Sequence, residues 1–164
     1  MNSIKKPMTI LEDRQIPVQA KLAAAWTSFM FLVIYIDYFH LYQPGEIDEI
    51  RGGVIFVFDI SGTLISIFFA LIAIPTLMVL LSMTLPARVN RATNLVVALL
   101  FIPICVFNAA GASWDWAFYY GLTIGVEVLI LAFILRSAWT WPRTTSPSMT
   151  EAASPHRPQI QMGG

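Results

Sequence analysis

The sequence predicts an all-α integral membrane protein: a four-helix transmembrane bundle with both termini cytoplasmic. Three observations carry that expectation. The apolar fraction is 57% and the charged fraction only 12%, against about 25% charged residues in soluble domains. Four windows, roughly Leu22–Tyr42, Ser61–Met83, Leu95–Ala112 and Trp116–Ser137, are long enough to cross a hydrocarbon layer of about 30 Å at ~1.5 Å rise per residue. The 10 basic residues are unevenly placed, although formal charge is zero. Lys5, Lys6, Arg14 and Lys21 precede the first window, Arg88 and Arg91 lie between the second and third, and Arg136, Arg143 and Arg157 close the chain. Only Arg51 falls on the other side, with Glu46, Asp48, Glu49, Asp59 and Asp115. The positive-inside rule then puts both ends and the middle connection in the cytoplasm. The expected location is the inner (plasma) membrane, crossed four times.

Taken in order, residues 1–16 form a polar cytoplasmic segment. Thr9 and Glu12 have the spacing of a capping box for a short helix, with Ile10, Leu11 and Ile16 at the interface. Residues 17–142 make up the transmembrane domain. Pro17 suits the first turn of a long first helix over 17–42. That run is over-long for a signal-peptide core and no small-x-small site follows it, so cleavage is not expected. QPGEIDEIRGG reads as a turn and an acidic loop, and VIFVF (54–58) is too short to cross. Either that run is interfacial or it lengthens the second helix, for which Asp59 or Ser61 offers an N-cap. Gly62, Ser66 and Ala70 then recur at spacing four, a small-residue ridge that admits a close neighbour. Leu85-Pro86-Ala87-Arg88 ends the second helix, and the third carries Asn94, Pro103 and Asn108. Gly111-Ala112-Ser113 makes the turn to the fourth. Trp114, Trp116, Tyr119 and Tyr120 mark one boundary, Trp139 and Trp141 the other. Residues 143–164, rich in Ser, Thr and Pro, read as a disordered cytoplasmic tail.

The fourth window carries the main candidate site. Glu127 is its one carboxylate, halfway along. An acid at that depth is costly unless protonated, partnered or wetted, which makes it a functional candidate. At 100° per residue, Trp116, Tyr120, Thr123 and Glu127 fall within about 60° of one another, a polar stripe from outer boundary to middle. Gly121 and Gly125, a GxxxG pair, lie on roughly the opposite face. Pro75 and Pro103 would orphan the carbonyls of Leu71 and Leu99 near the same depth. A protonated Glu127 could donate to either, or to trapped water. The competing reading is a neutral acid that only fastens helices.

A second cluster lies nearer the outside. Asp37 and His40 sit at i, i+3, and Asn108 reaches a similar level. With the external acids these suggest metal, but no recognisable ligand spacing is present, so a solvated pair is the expected outcome. Asp37 and Glu127 differ in depth by about 8–10 Å and could line one cavity open to the outside. No metal or cofactor is expected. The single cysteine, Cys105, allows no intramolecular disulfide, and the scattered basic residues do not form a nucleic-acid patch. CxxC, HExxH, Gly-rich phosphate loops and nucleophile elbows are all missing from the sequence.

Three stretches, IYIDYFHLYQPG (34–45), IPTLMVLLSMTLPARVNRATN (74–94) and VEV (126–128) before WTWPR (139–143), resemble a small bacterial membrane family, domain-of-unknown-function family 6326. The resemblance covers about residues 20–143. It implies a four-helix bacterial inner-membrane protein and singles out Asp37, Pro75, Arg88, Asn90, Arg91 and Glu127, without supplying an activity. The layout is also similar to four-helix membrane families of the DoxX kind, a likeness of architecture alone.

Three functional expectations follow. The first is a non-enzymatic bundle whose outward-opening cavity, lined by Glu127, Tyr120, Thr123 and Asp37, binds a small ligand or passes protons. The second is a structural or accessory subunit, assembling with itself or a larger membrane partner through Gly62–Ser66–Ala70 or Gly121–Gly125. The third is a membrane enzyme using Asp37, His40 and Glu127 as acids and bases.

Overall fold

The computed structural model describes residues 15–108 and 114–142. Its elements are α1 (Val18–His40), α2 (Glu46–Arg51), a hairpin of β1 (Val54–Ile55) and β2 (Phe58–Asp59), α3 (Gly62–Thr84), α4 (Ala87–Phe107), a 3₁₀ turn (Trp114–Trp116) and α5 (Ala117–Trp139). α1, α3, α4 and α5 (with its 3₁₀ turn) are long and apolar enough to cross a membrane, so the chain is a membrane protein with an all-α bundle. The Thr9–Glu12 capping box, the Gly111–Ser113 turn and the 143–164 tail lie outside the described residues.

Several boundaries move for identifiable reasons. Pro17 is the N-cap of α1 at ψ 145°, so the helix starts at Val18, one position later than expected. Residues 54–58 do not lengthen the second helix: Val54 pairs with Asp59 and Ile55 with Phe58, antiparallel. Ser61 caps α3, its hydroxyl accepting from the Leu64 N–H at 3.2 Å. The α3–α4 connection is tighter than expected. It is only Leu85-Pro86, and α4 begins at Ala87, eight residues before the apolar window. Arg88, Asn90 and Arg91 are therefore helical, because backbone bonding begins at once with Asn90 N–H donating to Pro86 O at 2.9 Å. Polar side chains leave hydropathy low there, which is why composition alone placed the start too late.

Around the bundle, α1 packs against α3 and α5, and α4 against α5, while α3 meets α4 only sparsely. The burial pattern departs from that of a soluble domain in burying polar side chains while large apolar ones stay exposed. Gln43, Ser82, Asn90, Asn94 and Glu127 are buried, while Phe69 (73% exposed) and Leu129 (69%) face outward. With lipid as solvent, apolar groups gain nothing by leaving it, and polar groups do.

Apart from Gln43, the buried residues gather at one end. On α1 they are Leu22 to Phe29, on α3 Pro75 to Ser82, on α4 Asn90 to Cys105 and on α5 Glu127 to Ala138. Trp26, Phe29 and Phe101 stack edge-to-face at centroid distances of 5.6–6.2 Å in the middle of this core, a favoured quadrupolar geometry. Beside them Asn94 ties three helices. Its Oδ1 accepts from Trp26 Nε1 at 2.7 Å and from Ser82 Oγ at 3.4 Å. Its Nδ2 donates to Asn90 Oδ1 at 2.7 Å, and Asn90 Nδ2 in turn donates to Ser82 O at 2.6 Å. Glu127 and Cys105 mark the outer limit of this packed half.

Candidate functional site

The site is built where the core stops. Glu127 is 2% exposed, held inward because Leu131, Ile134 and Ala138 continue the same buried face of α5. Its contact is the Cys105 thiol on α4. Leu71 and Leu99, the carbonyls freed by Pro75 and Pro103, are not its partners among the described residues, and Leu99 is exposed. No basic side chain forms an ion pair with Glu127 among the described residues. An acid so placed has a buried thiol beside it and no counter-charge among the described residues.

Two turns outward on α5, Tyr120 enters a hydrogen-bonded chain. Its hydroxyl lies 3.1 Å from His40 Nδ1 and accepts from Gln43 Nε2 at 3.3 Å. On the far side of the ring, His40 Nε2 lies 3.0 Å from Glu46 Oε2. One tautomer satisfies every group: Nε2–H donates to Glu46, and Nδ1 accepts from the Tyr120 hydroxyl. Adding a proton at Nδ1 would turn a donor toward the phenol oxygen and force its hydrogen elsewhere. The described hydrogen bonds of this chain join Glu46, His40, Tyr120 and Gln43 and go no further inward.

Local sequence explains why these groups meet. Gly45, at φ +96°, allows the sharp turn that starts α2 and brings Glu46 back over His40. Phe56, at the first position of the two-residue hairpin loop, has φ +57°. That left-handed conformation is unfavourable for an aromatic residue. Its ring is stacked on His40 at 5.4 Å and 24°, so the hairpin fixes the imidazole from above.

The residues of the expected stripe go to separate partners. Tyr120 and His40 are joined directly, and Asp37 lies one turn below His40 on α1 but exposed. Thr123 lies between Tyr120 and Glu127, yet its hydroxyl donates to its own helix at Tyr120 O, 3.1 Å away. Trp116 caps α5. Asn108, the exposed C-cap of α4, makes no side-chain hydrogen bond to the cluster among the described residues. The small-residue faces point away from the bundle. Ser66 and Ala70 are exposed, and a Cβ built at Gly62, Gly121 or Gly125 would meet nothing within 4 Å. Sequence reasoning did not assign Gln43 and Phe56 to the site, and set Glu46 beside His40 only among the acids of a conceivable metal site. Gln43-Pro44-Gly45-Glu46 was legible as a turn, but the direction of its return depends on Gly45's positive φ.

Of the positions the resemblance singles out, Asn90 is in the Asn94 network, Pro75 is buried in α3, and Arg88 is exposed. The Arg91 guanidinium lies 5.5 Å from the Trp139 ring centroid. No curated protein and no solved structure matches the chain. A family model does, over residues 8–147, extending past both ends of the resemblance seen in the sequence. The chain belongs to DUF6326, a family of unknown function.

Proposed function

We propose that the protein is a non-enzymatic membrane bundle that handles protons, or a small protonatable ligand, at Glu127. One observation carries the reading: a buried carboxyl, without a counter-charge among the described residues, ends the packed core below a Glu46–His40–Tyr120 hydrogen-bonded chain. The bundle is tight on one side of Glu127 and has few buried residues on the other. Access from the Glu46 end is therefore easier than from the Asn94 end. The proposed orientation puts the Glu46 end outside an inner membrane and both termini in the cytoplasm, as the basic residues favour. Reporter fusions after residue 142 should then be active only with a cytoplasmic reporter, and a periplasmic signal would reverse the direction.

The test is Glu127→Gln in reconstituted vesicles under a pH gradient. Gln keeps shape and hydrogen bonding but cannot titrate, so proton flux or pH-dependent ligand uptake should fall at least tenfold, as for loss of a general acid–base group. Wild-type behaviour at every pH would remove Glu127 from the mechanism. A second reading, assembly with another chain, is favoured by the unoccupied Gly62–Ser66–Ala70 and Gly121–Gly125 faces.

A further inference from the structure

A lateral groove of about 460 Å³ lies between α1 and α5, on a different part of the surface from the Tyr120–His40 cluster. Its walls include Ala24 and Ser28 on α1 and Val126, Leu129 and Phe133 on α5, with Lys21 at one end. It exists because α1 is thin there: Ala20, Ala24 and Ser28 recur every fourth residue, so no bulky side chain fills the space facing Leu129 and Phe133. α5 runs antiparallel to α1, which sets Phe133 near the Lys21 end and Val126 near Ser28. From Lys21 to Ser28 the groove runs about 10 Å along the helix axis.

We infer that this groove holds one acyl chain of an anionic phospholipid, with its phosphate on Lys21. The volume is within the range of specific small-molecule sites. The walls are mostly hydrocarbon and would leave an extended peptide backbone unsatisfied, whereas a methylene chain has nothing to satisfy. The charge is complementary. Lys21 lies within the first turn of α1, at headgroup depth, and has no acidic partner among the described residues. A second copy of the chain in the same orientation is a poorer occupant. The described carboxylates Asp37, Glu46, Asp48, Glu49, Asp59 and Asp115 all sit toward the opposite end of the bundle, and Glu127 is buried at its middle. The described carboxylates of such a copy would bring Lys21 no counter-charge.

The experiment is native mass spectrometry of the full chain released from micelles doped with phosphatidylglycerol or phosphatidylcholine of identical acyl chains. One bound phosphatidylglycerol per chain is expected, favoured about fivefold over phosphatidylcholine, the factor one lysine supplies at a membrane surface. Lys21→Gln should bring the two to parity. Ala24→Leu, at an exposed position, should fill the groove and abolish retention of both, with thermal unfolding unchanged as the control for folding. Equal retention of the two lipids by the wild type would overturn the proposal, as would retention that survives Ala24→Leu. A dimer without lipid, dispersed by Ala24→Leu, would also overturn it and assign the groove to a second copy.

Discussion

Asn94→Leu measures what holds the bundle together. The substitution keeps approximate volume but removes the acceptor of Trp26 Nε1, 2.7 Å away, and the donor to Asn90 Oδ1, 2.7 Å away. Both Trp26 and Asn94 are 0% exposed, so no water replaces the lost partner. Ser82 loses little, since its 3.4 Å bond is long and a helical serine can turn back to its own carbonyls. Asn90 keeps its bond to Ser82 O. The main cost is the indole N–H, which can only donate; a stranded buried donor costs about 1–3 kcal/mol. Interhelical hydrogen bonds in membranes average about 0.6 kcal/mol with a maximum near 1.7, so the total should be about 2–3 kcal/mol. Reversible unfolding in mixed micelles, followed by far-UV circular dichroism, reads this directly. The cycle with Trp26→Phe should show coupling of at least about 1 kcal/mol, because the double variant strands no indole. If Asn94→Leu costs no more than about 0.5 kcal/mol beyond the exposed control Leu99→Val, or the two changes add, the network is not what joins α1 to α4.

Phe56→Ala keeps a side chain at φ +57° and loses the ring on His40, whereas Phe56→Gly relieves the backbone as it loses the same stack. Amide exchange at Ile60, whose N–H donates to Gly53 O at 2.7 Å, should be about fivefold faster in the Ala variant than in the Gly variant, and equal rates would show no strain there. Gly121→Leu or Ser66→Leu should shift the oligomer distribution by cross-linking if the outward small-residue faces pair chains, and an unchanged distribution counts against that reading.

Much of the architecture was legible because a membrane imposes one-dimensional rules. Span length follows from hydrocarbon thickness, and a mid-span carboxylate stands out as an expense. Those rules depend on distance along a helix, so they isolated Glu127 and aligned it with Tyr120. They failed at Ala87–Asn94, where a helix runs through polar residues, and at residues 54–58, where pairing is a matter of hydrogen bonds and not hydropathy.

By itself, the sequence determined that four helices cross and that one acid lies at their middle. Only the tertiary structure decided which groups that acid and its neighbours meet. Partners such as Cys105 for Glu127, Glu46 for His40 and Asn94 for Trp26 come from different elements. Their meeting depends on helix rotation and on the turn at Gly45, and neither leaves a periodic trace in the chain. Lipid leaves the outward faces of the bundle nearly free of constraint, so the polar contacts inside it select the rotation that places those partners together.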